Sequence, residues 1–377
     1  MTAVALIADR IFDGARLVAG HAAIVEDGRI AALAPERDIP AGVGVRRLAG
    51  TIAPGFIDVQ VNGGGGVLFN DARSVAGIAA IGAAHRRFGT TGFLPTFVTD
   101  TRERMAEAIG AARAAIAAAT RGVLGIHLEG PFLNPGRKGA HDPALMRAMD
   151  AEDVALLTAP GAGRVLVTLA PEVVGPETIA RLAAAGVIVS AGHTAASEEA
   201  IVAARAAGLT GFTHLFNAMP PLAARAPGPV GAALADANAW AGLIVDLHHV
   251  AATSLRAAIA ARGWQRTMLV SDAMPTVGSD LERFTLSGRT VTLDGGRLST
   301  DEGTLAGANL DMATAVRNTV DALGLPLEAA LAMASRAPAE FLGLGHELGR
   351  IAPGYRASLV LLDDDLRVTA TWIDGQG

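Results

Sequence analysis

Two kinds of segment alternate regularly along the middle of this sequence. Short apolar runs of strand length, rich in Val, Ile, Leu and Phe, alternate with longer alanine-rich stretches that carry apolar residues at helical spacing. The apolar runs lie at residues 55–61, 92–97, 122–128, 164–169, 186–190, 211–214, 242–246 and 267–271. Eight strand–helix units in succession predict an α/β fold in which parallel strands close into a (β/α)8 barrel of the TIM type.

The alanine-rich stretches between these runs predict the helices of the barrel. Their apolar positions repeat at helical spacing, and charged residues separate them. The predicted helices span residues 72–88, 101–119, 176–185, 195–207 and 251–262. Two further helical stretches, 309–323 and 326–335, follow the last strand and are expected to pack outside the barrel.

The two ends of the chain have a different pattern, with short strands separated by turns. Strands are predicted at 3–8, 22–25 and 30–33 near the start, and at 358–362 and 368–373 near the end. We expect these segments to pair as one small β domain. The predicted boundaries are 1–50 and 345–377 for the two parts of that domain, and 51–344 for the barrel.

Composition narrows the possible classes of site and location. The 377-residue chain has no cysteine, so His, Asp and Glu must supply any side-chain metal ligands. Its net charge of -6 disfavours binding to nucleic acid. No run of eighteen apolar residues approaches a membrane span, and the first apolar run ends at Asp9, too early for a signal peptide. We therefore expect a cytoplasmic protein that binds neither a membrane nor nucleic acid.

Polar side chains follow several of the predicted barrel strands. Glu129 ends the third strand, His193 follows the fifth, His214 ends the sixth and Asp272 follows the eighth. The carboxyl ends of barrel strands converge on one site. Two imidazoles and one carboxylate leave a metal with an open position, which is typical of a catalytic centre. Zn²⁺ fits this ligand set best, and Fe²⁺, Co²⁺ or Mn²⁺ would accept it.

Less specific interpretations exist for each of these residues. His193 or His214 alone could be a hydrogen-bonded core histidine, as we expect for His127, and it is their combination with Glu129 that favours a metal. Asp272 alone could cap a helix. Placed opposite the ligands, it would instead accept a proton from the attacking water and later give it to the departing amine.

Six segments contain sequence motifs that are specific enough to indicate a protein family. These are PGFIDVQVNG (54–63), HLEGPFLNPGRKGAH (127–141), SAGHT (190–194), THLFNAMPPL (213–222), SDAMPTVG (271–278) and GTLAGANLDM (303–312). Together they resemble the N-acetylglucosamine-6-phosphate deacetylase family. The tail GRIAPGYRASLVLLD (349–363) is typical of the wider amidohydrolase superfamily. The resemblance covers essentially the whole chain, in the same order.

This resemblance implies hydrolysis of the N-acetyl group of N-acetylglucosamine 6-phosphate, which yields glucosamine 6-phosphate and acetate. It implies that Glu129, His193 and His214 bind one divalent metal, that Asp272 is the catalytic acid/base, and that His141 helps to polarise the acetyl carbonyl. The implied substrate contacts are Ala140, Asn217, Ala218, Arg225, Asp246, His249, Leu305, Ala306 and Gly307.

The same resemblance suggests where the phosphate binds. Arg225 and His249 are its natural candidates, since a guanidinium group matches phosphate oxygens. His248 is adjacent to His249, and the position within the motif favours His249. The family is commonly dimeric, which implies a homodimer in which a basic residue of the neighbouring subunit completes the phosphate pocket.

The sequence departs from its superfamily at a few positions. Gln60-Val61-Asn62 replaces the usual His-x-His, so we expect one metal per subunit and not two. Leu247 stands where glycine is common, and Ser271 where threonine is frequent. The glycine run 63–66 lacks the following Lys-Ser/Thr of a phosphate-binding loop, and we expect a flexible loop over the site instead.

Three alternatives to the main functional hypothesis remain open. The substrate could be the galacto epimer, N-acetylgalactosamine 6-phosphate, or another N-acyl compound or cyclic amide. A third possibility is a catalytically inactive scaffold or binding protein that has kept the barrel. The presence of all four strand-end residues argues against that last possibility.

Overall fold

In the computed structural model, which describes residues 3–377, the middle of the chain forms an eight-stranded parallel sheet. Its strands are Phe56–Val61, Thr90–Val98, Gly125–Glu129, Arg164–Leu169, Ile188–Ala191, Leu209–Phe212, Trp240–Leu243 and Thr267–Leu269. Sheet order follows chain order throughout. Beyond the last strand, Ala273 forms a parallel bridge with Val61 of the first, which closes the sheet. The predicted (β/α)8 barrel is therefore confirmed.

Helices cover the outside of this barrel. They are Val75–Arg86, Arg102–Ala117, Ala151–Thr158, Pro171–Val174, Pro176–Ala184, Glu198–Ala206, Gly228–Ala235, Ala252–Arg262, Met312–Asp321, Leu327–Ala334 and Arg336–Phe341. Short 3-10 turns occur at Glu36–Asp38, Pro135–Arg137 and Pro143–Leu145. Each of the seven predicted helical stretches contains a helix. Three of these begin at a polar N-cap, where the side chains of Ser74, Thr101 and Ser197 accept a backbone N–H.

Four helices were not predicted: Ala151–Thr158, Pro171–Val174, Gly228–Ala235 and Arg336–Phe341. All four are short, at four to eight residues. Such lengths give too few turns for helical spacing to stand out from a loop. None of the helices within residues 3–377 has the length and apolar character needed to cross a membrane.

The two ends of the chain form a small β domain beside the barrel, as predicted. A five-stranded sheet joins both ends, in the order Val368–Trp372, Leu359–Leu362, Thr51–Pro54, Arg10–Phe12 and Leu17–Val18. A four-stranded sheet has the order Arg29–Pro35, His21–Glu26, Val4–Ile7 and Gly44–Arg47. The exact domain boundaries at 50 and 345 remain a prediction.

A three-stranded antiparallel sheet, here called the hairpin sheet, is inserted after the eighth barrel strand. It comprises Arg283–Leu286, Arg289–Asp294 and Arg297–Thr300. Leu286, Val291 and Leu298 from this sheet join an apolar cluster that also contains Val98 and Met274. This cluster fixes the hairpin sheet over the end of the barrel where the second strand finishes.

The glycine run 63–66 differs from expectation. Gly63–Gly64 pairs with Val67–Leu68 in a two-stranded ladder, and the backbone N–H groups of Gly65 and Gly66 donate to residues 275–277. A Cβ on Gly63 would lie only 2.4 Å from the Val67 carbonyl oxygen, so the close approach requires glycine. The segment is thus a packed turn, and the predicted flexible loop over the site is wrong.

Candidate active site

Three predicted ligands meet at the carboxyl end of the barrel. Glu129 Oε1 lies 3.2 Å from His193 Nε2 and 2.9 Å from His214 Nε2, and the two Nε2 atoms are 3.2 Å apart. All three side chains are buried. Within residues 3–377 they form the one cluster of three such groups whose ligand atoms lie close enough together to hold a metal ion.

The chemistry of these donors fits a bound cation. His193 Nδ1 lies 2.8 Å from the carbonyl oxygen of Arg137, which can only accept a hydrogen bond. Nδ1 therefore donates to that carbonyl, and Nε2 is the ring atom that faces Glu129. A carbonyl that fixes the tautomer in this way is typical of metal-binding histidines. Burial raises the pKa of Glu129, but the two histidines outweigh it and hold this pKa well below its ordinary value.

Asp272 lies beside this cluster and is held by two amides. Its Oδ1 accepts hydrogen bonds from Gln60 Nε2 at 3.1 Å and from Asn62 Nδ2 at 2.7 Å. Gln60 Nε2 also lies 3.2 Å from Glu129 Oε2, so one amide connects the acid/base candidate to a ligand candidate. Burial, and then the charge of Glu129, raise the pKa of Asp272 to about 6.

A second buried carboxylate, that of Asp58, binds Ser271, the residue next to Asp272. Ser271 donates from both its hydroxyl and its backbone N–H to Asp58, and Gln60 N donates to Asp58 Oδ1 at 3.1 Å. Threonine could donate the same hydroxyl hydrogen bond, which accounts for serine being tolerated at position 271. Burial raises the pKa of Asp58 from 3.8 to about 7.

This raised pKa predicts a pH-dependent loss of stability. Between about pH 4 and pH 7 the folded protein keeps the Asp58 proton while the unfolded chain releases it, so the free energy of unfolding falls as pH rises. Asp58→Asn removes this dependence, because an amide does not titrate, and its oxygen can still accept the hydrogen bond from the Ser271 backbone N–H. Urea unfolding measures the free energy of unfolding of both proteins at pH 5 and pH 8. Between these two pH values, it should fall by about 2–3 kcal/mol more in the parent protein than in the variant. If the free energy of unfolding changed with pH in the same way in both proteins, the raised pKa of Asp58 would be contradicted.

His141 lies next to the ligand cluster. It is buried, its ring centroid is 4.4 Å from that of His193, and its Nδ1 is 2.8 Å from Thr99 Oγ1. Burial, and then the nearby charge of His193, lower the pKa of His141 to about 3. The ring is therefore neutral at physiological pH, and the Thr99 hydroxyl fixes its orientation.

The backbone carries strain where these side chains turn into the site. His193, His214 and Asp272 have φ values of 49°, 29° and 52°, in the left-handed region that residues other than glycine rarely adopt. Each lies just beyond the end of a barrel strand. Strained residues of this kind cluster at functional sites because the surrounding structure must hold them in place.

These groups line a cavity of about 390 Å³ at the mouth of the barrel. The cavity wall contains most of the residues implied by the sequence: Glu129, Ala140, His141, His193, His214, Asn217, Ala218, His249, Asp272, Leu305 and Gly307. His248 is exposed, so of the two adjacent histidines it is His249 that faces the cavity.

Three implied substrate contacts lie outside the cavity wall, and their roles remain predictions. Arg225 is exposed. Ala306 is fully buried in the apolar cluster of the hairpin sheet. Asp246 contacts His249 instead of the cavity: its Oδ2 lies 2.6 Å from His249 Nδ1 and orients that ring.

The structure explains why Leu247, the residue before these histidines, stands at a position where glycine is common. Leu247 has a φ of 66°, where glycine is favoured, and its side chain is exposed. The backbone conformation, and not contact with the cavity, therefore accounts for glycine being common at this position.

Several supporting residues were not identified from the sequence. His127 is a hydrogen-bonded core histidine, as expected, but its partners Thr96 and Thr168 were not predicted. The cavity is also lined by Val98, Met274, Leu286 and Arg297. The last two belong to the hairpin sheet, which the Ser-Gly and Gly-Gly turns at 287–288 and 295–296 could have indicated.

Comparison with known proteins gives matches to two family models. Residues 51–376 match the model of the Amidohydrolase family, and residues 4–53 match that of the NagA composite domain. An N-acetylgalactosamine-6-phosphate deacetylase of Shewanella sp. (strain ANA-3) is 46% identical over 331 residues, which cover 88% of this chain and 84% of the relative. A protein of the same name from Escherichia coli is 40% identical, covering 94% of both chains.

Solved structures are similar over the full length. The crystal structure of N-acetylglucosamine-6-phosphate deacetylase from Pasteurella multocida superposes with a TM-score of 0.96 at 33% identity. The match covers 99% of each chain.

Proposed function

Because this chain belongs to the amidohydrolase family, we propose that it hydrolyses the N-acetyl group of N-acetylglucosamine 6-phosphate to give glucosamine 6-phosphate and acetate. One observation supports this most strongly. The buried side chains of Glu129, His193 and His214 lie together beside Asp272, in the wall of a cavity large enough for a small ligand. Full-length similarity to an N-acetylglucosamine-6-phosphate deacetylase structure supports the choice of substrate.

In this proposal Glu129, His193 and His214 hold one divalent metal. A metal in such a site polarises a carbonyl and lowers the pKa of water. Gln60 and Asn62 occupy the position of the usual second ligand pair, and both donate to Asp272. Their N–H groups are therefore turned towards an anion, which supports a single-metal site.

Asp272 performs the proton transfers in this reaction. It accepts a proton from the attacking water as the new C–O bond forms, and Gln60 and Asn62 keep Oδ1 in position as they donate to it. The same proton then passes to the amide nitrogen as the C–N bond breaks, so that acetate and the free amine leave. Removal of Asp272 should therefore block both halves of the reaction.

His141 assists at the acetyl oxygen. Its neutral ring can present an Nε2–H to that oxygen when Nδ1 accepts the hydroxyl hydrogen of Thr99, 2.8 Å away. Such a donor stabilises the negative charge that develops on the oxygen.

Finer features belong to the same proposal. Zn²⁺ is the preferred metal because it accepts this nitrogen and carboxylate set with an open position. The enzyme is proposed to be a cytoplasmic homodimer, and Arg225, which is exposed, would then be available to the neighbouring subunit.

A second candidate is deacetylation of N-acetylgalactosamine 6-phosphate. It is favoured by one observation, the 46% and 40% identity to two deacetylases of that name. The two sugars differ only in the orientation of one hydroxyl group, so both can place the acetyl group and the phosphate in the same way.

Acetate release from three substrates tests these candidates. We expect kcat/KM to be highest for N-acetylglucosamine 6-phosphate, lower for its galacto epimer, and lower by roughly 10²-fold for unphosphorylated N-acetylglucosamine, which lacks the charged hydrogen bonds. The reverse order of the two epimers would move the assignment to the second candidate. Absence of acetate from all three would refute the proposed function.

A further inference from the structure

We propose that Arg297 of the hairpin sheet binds the 6-phosphate of the substrate from within the same subunit; this inference rests on the proposed function. Arg297 is the one Arg or Lys among residues 3–377 that lines the active-site cavity. Arg225, which the sequence favours for this role, is exposed and contributes nothing to the cavity wall of its own subunit.

The Arg297 guanidinium is available for an anion. Among residues 3–377 its one polar partner is the carbonyl oxygen of Gly303, which lies 3.3 Å from Nη2 in a long hydrogen bond. No carboxylate among the described residues lies within ion-pair distance of it. By contrast, Arg289 on the adjacent strand donates to the carbonyl of Ala140. Most N–H groups of Arg297 thus have no protein partner.

The position of Arg297 matches the layout of the substrate. Two carboxylates, those of Glu129 and Asp272, lie at the cavity floor, where they would repel a phosphate. The N-acetyl group must reach this floor, which directs the phosphate across the sugar ring towards the mouth. Arg297 lines the same cavity and is itself exposed, at the first position of the last strand of the hairpin sheet.

A second hydrogen-bonding group lies nearby. The turn before Arg297 contacts the segment that carries His249, since a Cβ on Gly296 would lie 3.2 Å from His248 Nε2. His249 lines the cavity, and its Nδ1 is engaged by Asp246, which leaves Nε2 for a ligand. Arg297 and His249 both line the cavity, so we infer that one phosphate accepts hydrogen bonds from both, and a guanidinium fork suits its paired oxygens.

Steady-state kinetics of Arg297→Ala tests this inference. We expect kcat/KM for the phosphorylated sugar to fall roughly 10- to 100-fold, mainly through KM, while the unphosphorylated sugar changes less than about 2-fold. Arg297→Lys should show an intermediate loss, because it keeps the charge without the fork. Arg283→Ala is the matched control, as Arg283 is exposed on the same sheet and does not line the cavity. An equal loss on both substrates, or none, would overturn the inference.

Direct binding separates this inference from the proposed function. Calorimetry with glucosamine 6-phosphate and glucosamine should show a preference for the phosphorylated sugar that Arg297→Ala abolishes. If the parent protein releases no acetate but retains this Arg297-dependent preference, the proposed function fails and the phosphate site stands. If Arg297→Ala binds glucosamine 6-phosphate as tightly as the parent protein, the phosphate site is refuted even if deacetylation is observed.

Discussion

Asp272→Asn is expected to lower kcat for acetate release by roughly 10²- to 10⁴-fold while leaving metal content unchanged. Asparagine has nearly the same shape, and its Oδ1 can still accept from Gln60 Nε2 and Asn62 Nδ2, which now donate at 3.1 and 2.7 Å. What it lacks is the ability to take a proton from water. The loss should therefore appear in kcat, and KM should change little.

The control for this substitution is Asp280→Asn. Asp280 lies in the same segment of the chain but is exposed and does not line the active-site cavity. We expect its kcat to match that of the parent protein. Wild-type turnover by Asp272→Asn that carries its metal would exclude Asp272 as the proton acceptor.

Glu129→Gln is expected to release the metal and to lower activity by roughly 10³-fold or more, since a Lewis-acid metal contributes several kcal/mol to catalysis. Glutamine fills the same volume but removes the negative charge that lies 2.9 and 3.2 Å from the two imidazole nitrogens. The substitution therefore tests charge and coordination with little disturbance of packing.

Thermal unfolding provides the measurement that accompanies this loss. A cation that binds only the folded chain raises its stability, by about 4 kcal/mol when present at a thousandfold excess over Kd. Added Zn²⁺ should thus raise the Tm of the metal-free parent protein, and Glu129→Gln should show no comparable rise. Glu198→Gln, on an exposed helix start, should behave like the parent protein. An equal Zn²⁺-dependent rise in Glu129→Gln would place the metal elsewhere.

The barrel was predictable because its signal is repeated. Each of the eight apolar runs overlaps a strand of the structure, and the order of units allows few other topologies. The ligand cluster was predictable for a related reason. Glu129, His193 and His214 stand at strand ends, and the barrel brings such ends together whatever the intervening loops do.

The contacts that support these side chains were harder to predict from the sequence. They depend on backbone conformation and on pairs of residues that are distant in sequence. Nothing local in the sequence indicates that His193 adopts a left-handed conformation, or that the Arg137 carbonyl fixes its tautomer. Asp58 and Ser271 are 213 residues apart, yet they meet where the first and last strands close the barrel. Contacts of this kind follow from the closed sheet and not from any local pattern.

The hairpin sheet could be predicted only in part from the sequence. Its turns at 287–288 and 295–296 are recognisable, but where the three strands pack is set by apolar contacts of Leu286, Val291 and Leu298 with distant loops. Arg297 enters the cavity wall only through that packing. A residue that we assign to substrate binding therefore lies in the region where sequence patterns were least informative.

In the proposed mechanism, Glu129, His193 and His214 share one metal ion that faces Asp272. Anomalous diffraction from crystals grown with Zn²⁺, recorded above and below the zinc absorption edge, tests it most directly. We predict a single strong peak per subunit, bonded to Glu129 Oε1 and to the Nε2 atoms of both histidines, with Asp272 facing its open side. A peak at any other group of side chains, or none at these three, would exclude this metal site.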